Sequence, residues 1–368
     1  MDALEELVGV AAQRFDRAAA ARAAGERVVG YVGADLPQEL VEAAGLRPLR
    51  LIPIDVAERE EADRLLGPGV DEPVRLVLAG LLEGRYPIDL LVVCHDSDHD
   101  VRLYTALRAL ALGDPALPLP PLHVHDFLHL PTGTTAAYDR DRVRELADVL
   151  ASTAGRPAED GALVAAIAAA NESRRLLRRV DGLRRDGVLR GSELLAVVAA
   201  GTAMHAGEYN ALLTALLEQS LEPAAAPARR IYLLGSAHDA PDVYEALEAA
   251  GAAVVGESHA WGSIWFDGLV DEEGEPLRAI AARHHLGSAL GRRRDAAGRA
   301  RRAAADAAAA GADVALAWHR AGDEQLAWAL PEEERAFAAY GIPVVRLRSR
   351  PYRLDEDARA ALAEVVAA

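Results

Sequence analysis

The densest chemistry in the sequence is the run His95–Asp100 (HDSDHD), two imidazoles and three carboxylates around Ser97. Imidazole and carboxylate oxygen together suit zinc, manganese or iron. His95, Asp98 and His99 are therefore the expected ligands if a divalent metal is bound. The competing structural role is a polar loop that caps a following helix, with Asp98 or Asp100 as the N-cap. A second group, His123, His125 and His129, surrounds the sequence HVHDFLH. His123 and His125 share one face of a strand and would meet the first group if the two strands are neighbours. Further along, His259 with Trp261, and Trp318 with His319, follow apolar runs. His284 and His285 sit near a helix end, and His205 and His238 look incidental.

Other chemistries lack their motif. No G-x-S-x-G elbow exists for a serine nucleophile. Neither G-x-G-x-x-G nor GxxxxGK[ST] occurs where a strand would meet a helix, which argues against a conventional nucleotide site. Cys94 ends an apolar run, where a thiol is buried and inert.

Two strand–helix series must position these residues. In the first, Arg27–Gly33, Arg47–Ile52, Ile88–Cys94 and Leu122–Asp126 read as strands, with helices to about Ala24 and over Gln38–Ala44, Val74–Leu82 and Leu103–Leu112. Gly45 marks a helix end. A helical block follows: 139–154 closed by Gly155, 157–185 with Pro157 in its first turn, and Ser192–Leu217. Residues 222–229 (EPAAAPAR) have linker composition. The second series has strands at Arg230–Gly235, Ala252–Gly256, Asp313–Trp318 and Pro343–Leu347, with helices at 241–250 and 296–310. Alternation of this kind predicts an α/β protein with two Rossmann-like parallel-sheet domains and a helical connector. The expected boundaries are 1–155, 156–228 and 229–368. Ligand belongs in the cleft between the domains, outside the strand C-termini.

The chain has 368 residues and a formal charge of −17. So acidic a protein repels phosphate backbones and anionic membranes, which excludes nucleic-acid binding as a main role. No apolar stretch is long enough to span a bilayer, and the amphipathic N-terminus is not a signal peptide, so a cytoplasmic location is expected. Cys94 is the single cysteine. Alone it makes no internal disulfide and holds no iron–sulfur cluster.

The order of motifs resembles the 2-hydroxyacyl-CoA dehydratase and benzoyl-CoA reductase family. Gly30–Leu51 (GYVGADLPQELVEAAGLRPLRL) is similar to its opening signature, with Pro37, Glu39, Ala43, Ala44, Gly45 and Pro48 in place. Leu91–Leu107, Asn171–Arg184, and then RIYLLGS, AAVVGESHAWGS and GIPVVRL continue it to the end of the chain. The resemblance implies paired homologous subunits, an acyl-CoA substrate and a cysteine-held cluster between the domains. Its Cys-Asp pair falls on Ser97–Asp98, a late cysteine falls on or near His319, and another falls around Ala260–Trp261. The cysteine near Val74 is missing.

The scaffold is thus expected without its redox centre. The leading expectation is a cluster-free family member that binds an acyl thioester or related organic acid, alone, as a homodimer or beside a homologous partner subunit. The alternatives are a lyase using a divalent metal or acid–base groups, and a scaffold without chemistry. Ser97, Asp98, His259 and His319 are the catalytic candidates. Pro37, Glu39, Trp261 and Trp318 are the substrate-binding ones. Arginines at 292–294 and 346–350 offer local charge for an anionic substrate.

Overall fold

The structure, a computed structural model, describes residues 2–159, 161–220, 222–223, 226–289, 295–323 and 328–368. The arginine run 292–294, and Ala224 and Ala225 of the linker, lie outside the described residues.

Two four-stranded sheets, each wholly parallel, organise the molecule. The first contains β1 (Val28–Val32), β2 (Arg47–Arg50), β3 (Leu90–Cys94) and β4 (Leu122–His125), in the order β2-β1-β3-β4. The second contains β5 (Arg229–Gly235), β6 (Ala252–Glu257), β7 (Val314–Arg320) and β8 (Val344–Arg350), in the order β6-β5-β7-β8. The two orders are the same permutation, so the halves are topological repeats. Each first strand runs into a left-handed glycine, Gly33 at φ +94° and Gly235 at φ +95°. A methyl group on Gly235 would stand 2.2 Å from the Trp318 carbonyl oxygen, so close approach of β5 to the end of β7 demands glycine there.

Helices cover both faces of each sheet, as parallel strands require. In the first half these are α2 (Arg14–Ala23), α3 (Gln38–Ala43), α4 (Glu60–Leu66), α5 (Glu72–Leu82), α6 (Asp98–Gly113) and α7 (Gly133–Ala154). Val28, Leu49, Leu91 and Val93 face Leu78, Leu103 and Leu107 on one side. Val29, Tyr31, Leu90, Val92 and Cys94 pack on the other side with Val41, Val143 and Leu146.

Two segments cross between the halves. α1 (Ala3–Ala12) separates from α2 at Gln13 and buries Leu7 and Val10 against the second sheet's core, beside α8 (Ala162–Arg185), α9 (Gly191–Gly201) and α10 (Ala206–Glu218). In the other direction, α12 (Pro276–Ala282) sets Ala279 and Ile280 into the first sheet's core with Phe127 and Leu146. α11 (Asp242–Ala249), α13 (Ala296–Ala309), α14 (Leu330–Ala338) and α15 (Glu356–Ala367) complete the second half.

Three local expectations are corrected. Ser97, not Asp98 or Asp100, is the N-cap of α6, because its backbone is extended and its Oγ accepts the Asp100 amide at 3.3 Å. Pro157 is not in a first helical turn, since α8 starts only after Gly161, whose φ is +79°. The span 192–217 holds two helices. They part at Thr202, whose Oγ1 donates to the Ala199 carbonyl at 2.7 Å while its own carbonyl accepts from the Arg50 amide at 3.1 Å. Among the described residues no helix is long and apolar enough to cross a membrane.

Candidate functional site

The C-terminal ends of the two sheets meet. Arg50 is the last residue of β2, and its Nη1 donates to the Ala260 carbonyl, beyond β6, at 2.8 Å. Its guanidinium carbon stands 3.8 Å from the centroid of the Trp261 ring, and that of Arg14 stands 5.6 Å from the same centroid. A few residues away, Arg320 at the end of β7 pairs with Asp71 at the N-cap of α5, Nη2 to Oδ2 2.8 Å. Asp239, in the loop after β5, accepts from the Tyr352 hydroxyl at 3.1 Å. Burial raises the Asp239 carboxyl above the ordinary range, against the opposing pull of Arg320, Tyr352 and Arg50. A buried carboxyl with a raised pKa at a strand-end junction is the kind of group that acid–base chemistry uses.

A second buried polar group lies where α12 runs into the π-helical turn Arg283–Gly287. Asp35 Oδ2 is 3.0 Å from His129 Nε2, and its Oδ1 is 3.6 Å from His284 Nδ1. His284 stacks on Phe127 with ring centroids 5.4 Å apart. Beside them Glu39, fully buried, receives Arg174 Nη2 at 2.5 Å. Burial alone would raise the Glu39 pKa, but Arg174, Arg283 and His284 hold it down to about 2. Arg283 is pushed down to about 9 by burial, and it donates to the carbonyls of Trp265, Asp267 and Gly268. His285 and Asp139 tie α7 to the same turn at 2.6 Å.

The residues singled out in the sequence are distributed as follows. His95 is exposed and bonds Asp126 at 2.8 Å, whereas Nδ1 of His99 accepts the Asp71 amide at 3.3 Å. Asp98 is exposed in the first turn of α6. His95 precedes α6 while Asp98 and His99 lie in its first turn, and the three do not converge on a point. Among the described residues, no group of three or more His, Cys, Asp or Glu side chains is placed to hold a metal ion. Ser97 is engaged in its cap, donating to Asp100 Oδ2 at 2.8 Å. Pro37 is the N-cap residue of α3, and Glu39 is the buried partner of Arg174.

His259, Trp261, Trp318 and His319 are all buried at the strand ends of the second sheet. Nε2 of His259 meets the Tyr244 hydroxyl at 2.7 Å, and its Nδ1 accepts the Trp261 amide at 3.3 Å. Burial, with Arg184, Arg50 and Arg320 nearby, brings the His259 pKa down to about 3, so the ring is neutral. The His238 ring packs edge-on to His259 at 5.2 Å and tilted to Trp318 at 6.4 Å. It is thus part of the site region and not incidental. His205 is also engaged, between Glu26 at 2.5 Å and Glu42 at 3.0 Å. The sequence reading passed over Arg14, Arg50, Asp71, Asp239 and Arg320. Three of them follow strands or open helices, and that position was the available signal.

An iron–sulfur cluster requires several thiolates. The chain's one cysteine is wholly buried within β3. The residues present do not fit that group.

Two Rossmann-like units with joined strand ends define a class of α/β protein, and the comparisons give the family. The chain matches the family model for 2-hydroxyglutaryl-CoA dehydratase, D-component, over residues 34–351. It belongs to that family. No curated protein matches it.

Proposed function

We propose that the chain is a cluster-free member of the dehydratase family that binds an acyl thioester or a related organic acid between its two halves. It would serve as partner subunit to a cluster-bearing homologue or as a homodimer. One observation carries the reading. The family's scaffold spans residues 34–351, while the sole cysteine is sealed in a strand and no second one exists. Low-potential radical dehydration by this chain alone is then out of reach, whereas substrate binding needs only the retained halves. The strand-end groups Arg50, Trp261 and Asp239 supply charge, an aromatic wall and a raised-pKa carboxyl for such a ligand.

The test is oxygen-free purification of the full chain, followed by elemental analysis, an ultraviolet–visible spectrum and calorimetric titration with 2-hydroxyacyl-CoA esters. The expected result is a colourless protein without stoichiometric iron and sulfide that binds the ester. A brown iron–sulfur protein, or one indifferent to CoA esters both alone and with co-expressed homologues, would overturn the proposal.

A further inference from the structure

Buried arginines are costly unless their donors are satisfied. Several in this chain have strong partners, although Arg184 keeps a buried Nε unbonded. Arg174, Arg184 and Arg320 each pair with a buried carboxylate, and Arg283 is held by three backbone carbonyls. Arg14 does not follow that rule, and Arg50, whose Nη1 donates to the Ala260 carbonyl at 2.8 Å, has no carboxylate on its guanidinium in that bond. Both side chains belong to residues only 4% exposed, yet neither forms an ion pair among the described residues. Arg14 donates through Nε to the Ala11 carbonyl at 2.9 Å, and its buried Nη1 meets no acceptor. Both guanidiniums lie over the one indole of Trp261, at the junction of the strand ends where α/β folds bind ligands. Burial lowers the pKa of Arg14 to about 10, with Asp239 as the largest opposing charge.

We propose that Arg14 and Arg50, on Trp261, form the seat for a carboxylate group of a small organic acid. Nη1 of Arg14 is the donor that a ligand oxygen takes. A guanidinium matches a planar carboxylate in shape as well as charge. Trp261 gives the ligand's carbon chain an apolar wall, and the polar end of the ligand adds negative charge beside two cations that share Asp239 as an opposing charge. The inference rests on the interdomain junction being the ligand site, but not on the ligand being a thioester.

The experiment is calorimetry on the full chain with short-chain dicarboxylates, their monoamides, and inorganic phosphate as separate probes. It is run on the wild type, Arg14→Met and Arg50→Lys, with thermal unfolding of each. A dicarboxylate should bind the wild type and lose about tenfold or more in affinity in either variant, the weight of one charge-assisted bidentate contact. Unfolding of Arg14→Met should shift to higher temperature, because a buried charge with an unbonded donor has been removed. Equal carboxylate affinity in all three proteins would overturn the proposal. Phosphate bound as tightly, through the same arginines, would overturn the carboxylate assignment. An absence of carboxylate binding together with a less stable Arg14→Met would make the pair a packing feature. The two proposals separate cleanly. Carboxylate binding without CoA-ester binding sinks the thioester reading alone, and the reverse sinks this one alone.

Discussion

Asp71 and Arg320 join the two halves of the molecule through an ion pair, 2.8 Å from Oδ2 to Nη2, with side chains only 9% and 11% exposed. Arg320 also donates to the Ala237 carbonyl at 2.5 Å, so one guanidinium spans the N-cap of α5 and the loop that carries His238 and Asp239. Removing one member strands a buried charge, which costs about 3–5 kcal/mol. Asp71→Asn and Arg320→Met should each lower unfolding stability by an amount of that order in a denaturant titration. The double variant should lose less than the sum, by about 1–3 kcal/mol. Additive losses would mean that the two residues act independently.

Gly235 tests the junction sterically. Its left-handed φ of +95° disfavours any side chain, and an alanine methyl would stand 2.2 Å from the Trp318 carbonyl oxygen. Gly235→Ala should cost about 3 kcal/mol or more, since overpacking and backbone strain add. Gly155→Ala is the control. It has a similar φ of +73° but nothing within 4 Å of its added methyl, so about 1 kcal/mol is expected. Comparable thermal shifts for the two variants would show that the β5–β7 approach is not tight.

Much of this arrangement was legible in the sequence, for identifiable reasons. Period and apolar runs located the eight strands of the described residues, because buried parallel strands read as continuous Val, Leu and Ala. A helix end near His284 and His285 was legible, but the range of α12 and the π-helical turn were not. Their apolar face is small (Ala279, Ile280, Ala281) and packs on the other half of the chain, a relation no local pattern encodes. The site was less legible than the fold. The histidine-rich segments attracted attention because metal ligands are recognised by density, whereas His95 and His99 turned to Asp126 and Asp71. Arg14 and Arg50 carried no motif. Their meaning comes from being 36 residues apart in sequence yet over one indole ring.

His205 supplies a pH test. Hydrogen bonding to Glu42 raises its pKa, opposed by partial burial and helped by Glu26, so the imidazolium is favoured in the fold. A raised folded-state value contributes stability below the unfolded pKa and loses it as pH rises through the folded one. His205→Gln should therefore be less stable than the wild type by about 1 kcal/mol at pH 5.5. That gap should close as the medium becomes alkaline. A gap independent of pH would mean that the ring acts only by packing between α10 and the first sheet.

The buried histidines act in the opposite sense. His125 and His259 are each brought down to about 3, first by burial and then by neighbouring histidines and arginines, and His238 is lowered for the same reasons. Unfolded, each binds a proton near pH 6.5, while the folded protein refuses it down to much lower pH. A depressed folded-state pKa gives stability that is complete above the unfolded value and is lost as pH falls toward the folded one. Acid destabilisation should therefore begin near pH 6, above the range of ordinary carboxylates, which start to protonate in the unfolded chain only near pH 4–5. Stability measured by denaturant between pH 7 and 4 should fall with a slope of about one proton for each neutral buried ring. His259→Phe removes one such group together with its bond to the Tyr244 hydroxyl. The variant should be less stable at pH 7, by about 1–2 kcal/mol for the Trp261 amide left without its acceptor, while the Tyr244 hydroxyl keeps Glu257 Oε2 at 3.4 Å. Its decline toward pH 4 should be shallower by one proton. A slope equal to the wild type's would show that His259 is already protonated in the fold, placing a charge beside Arg184 and Arg50 that the geometry of the site does not accommodate.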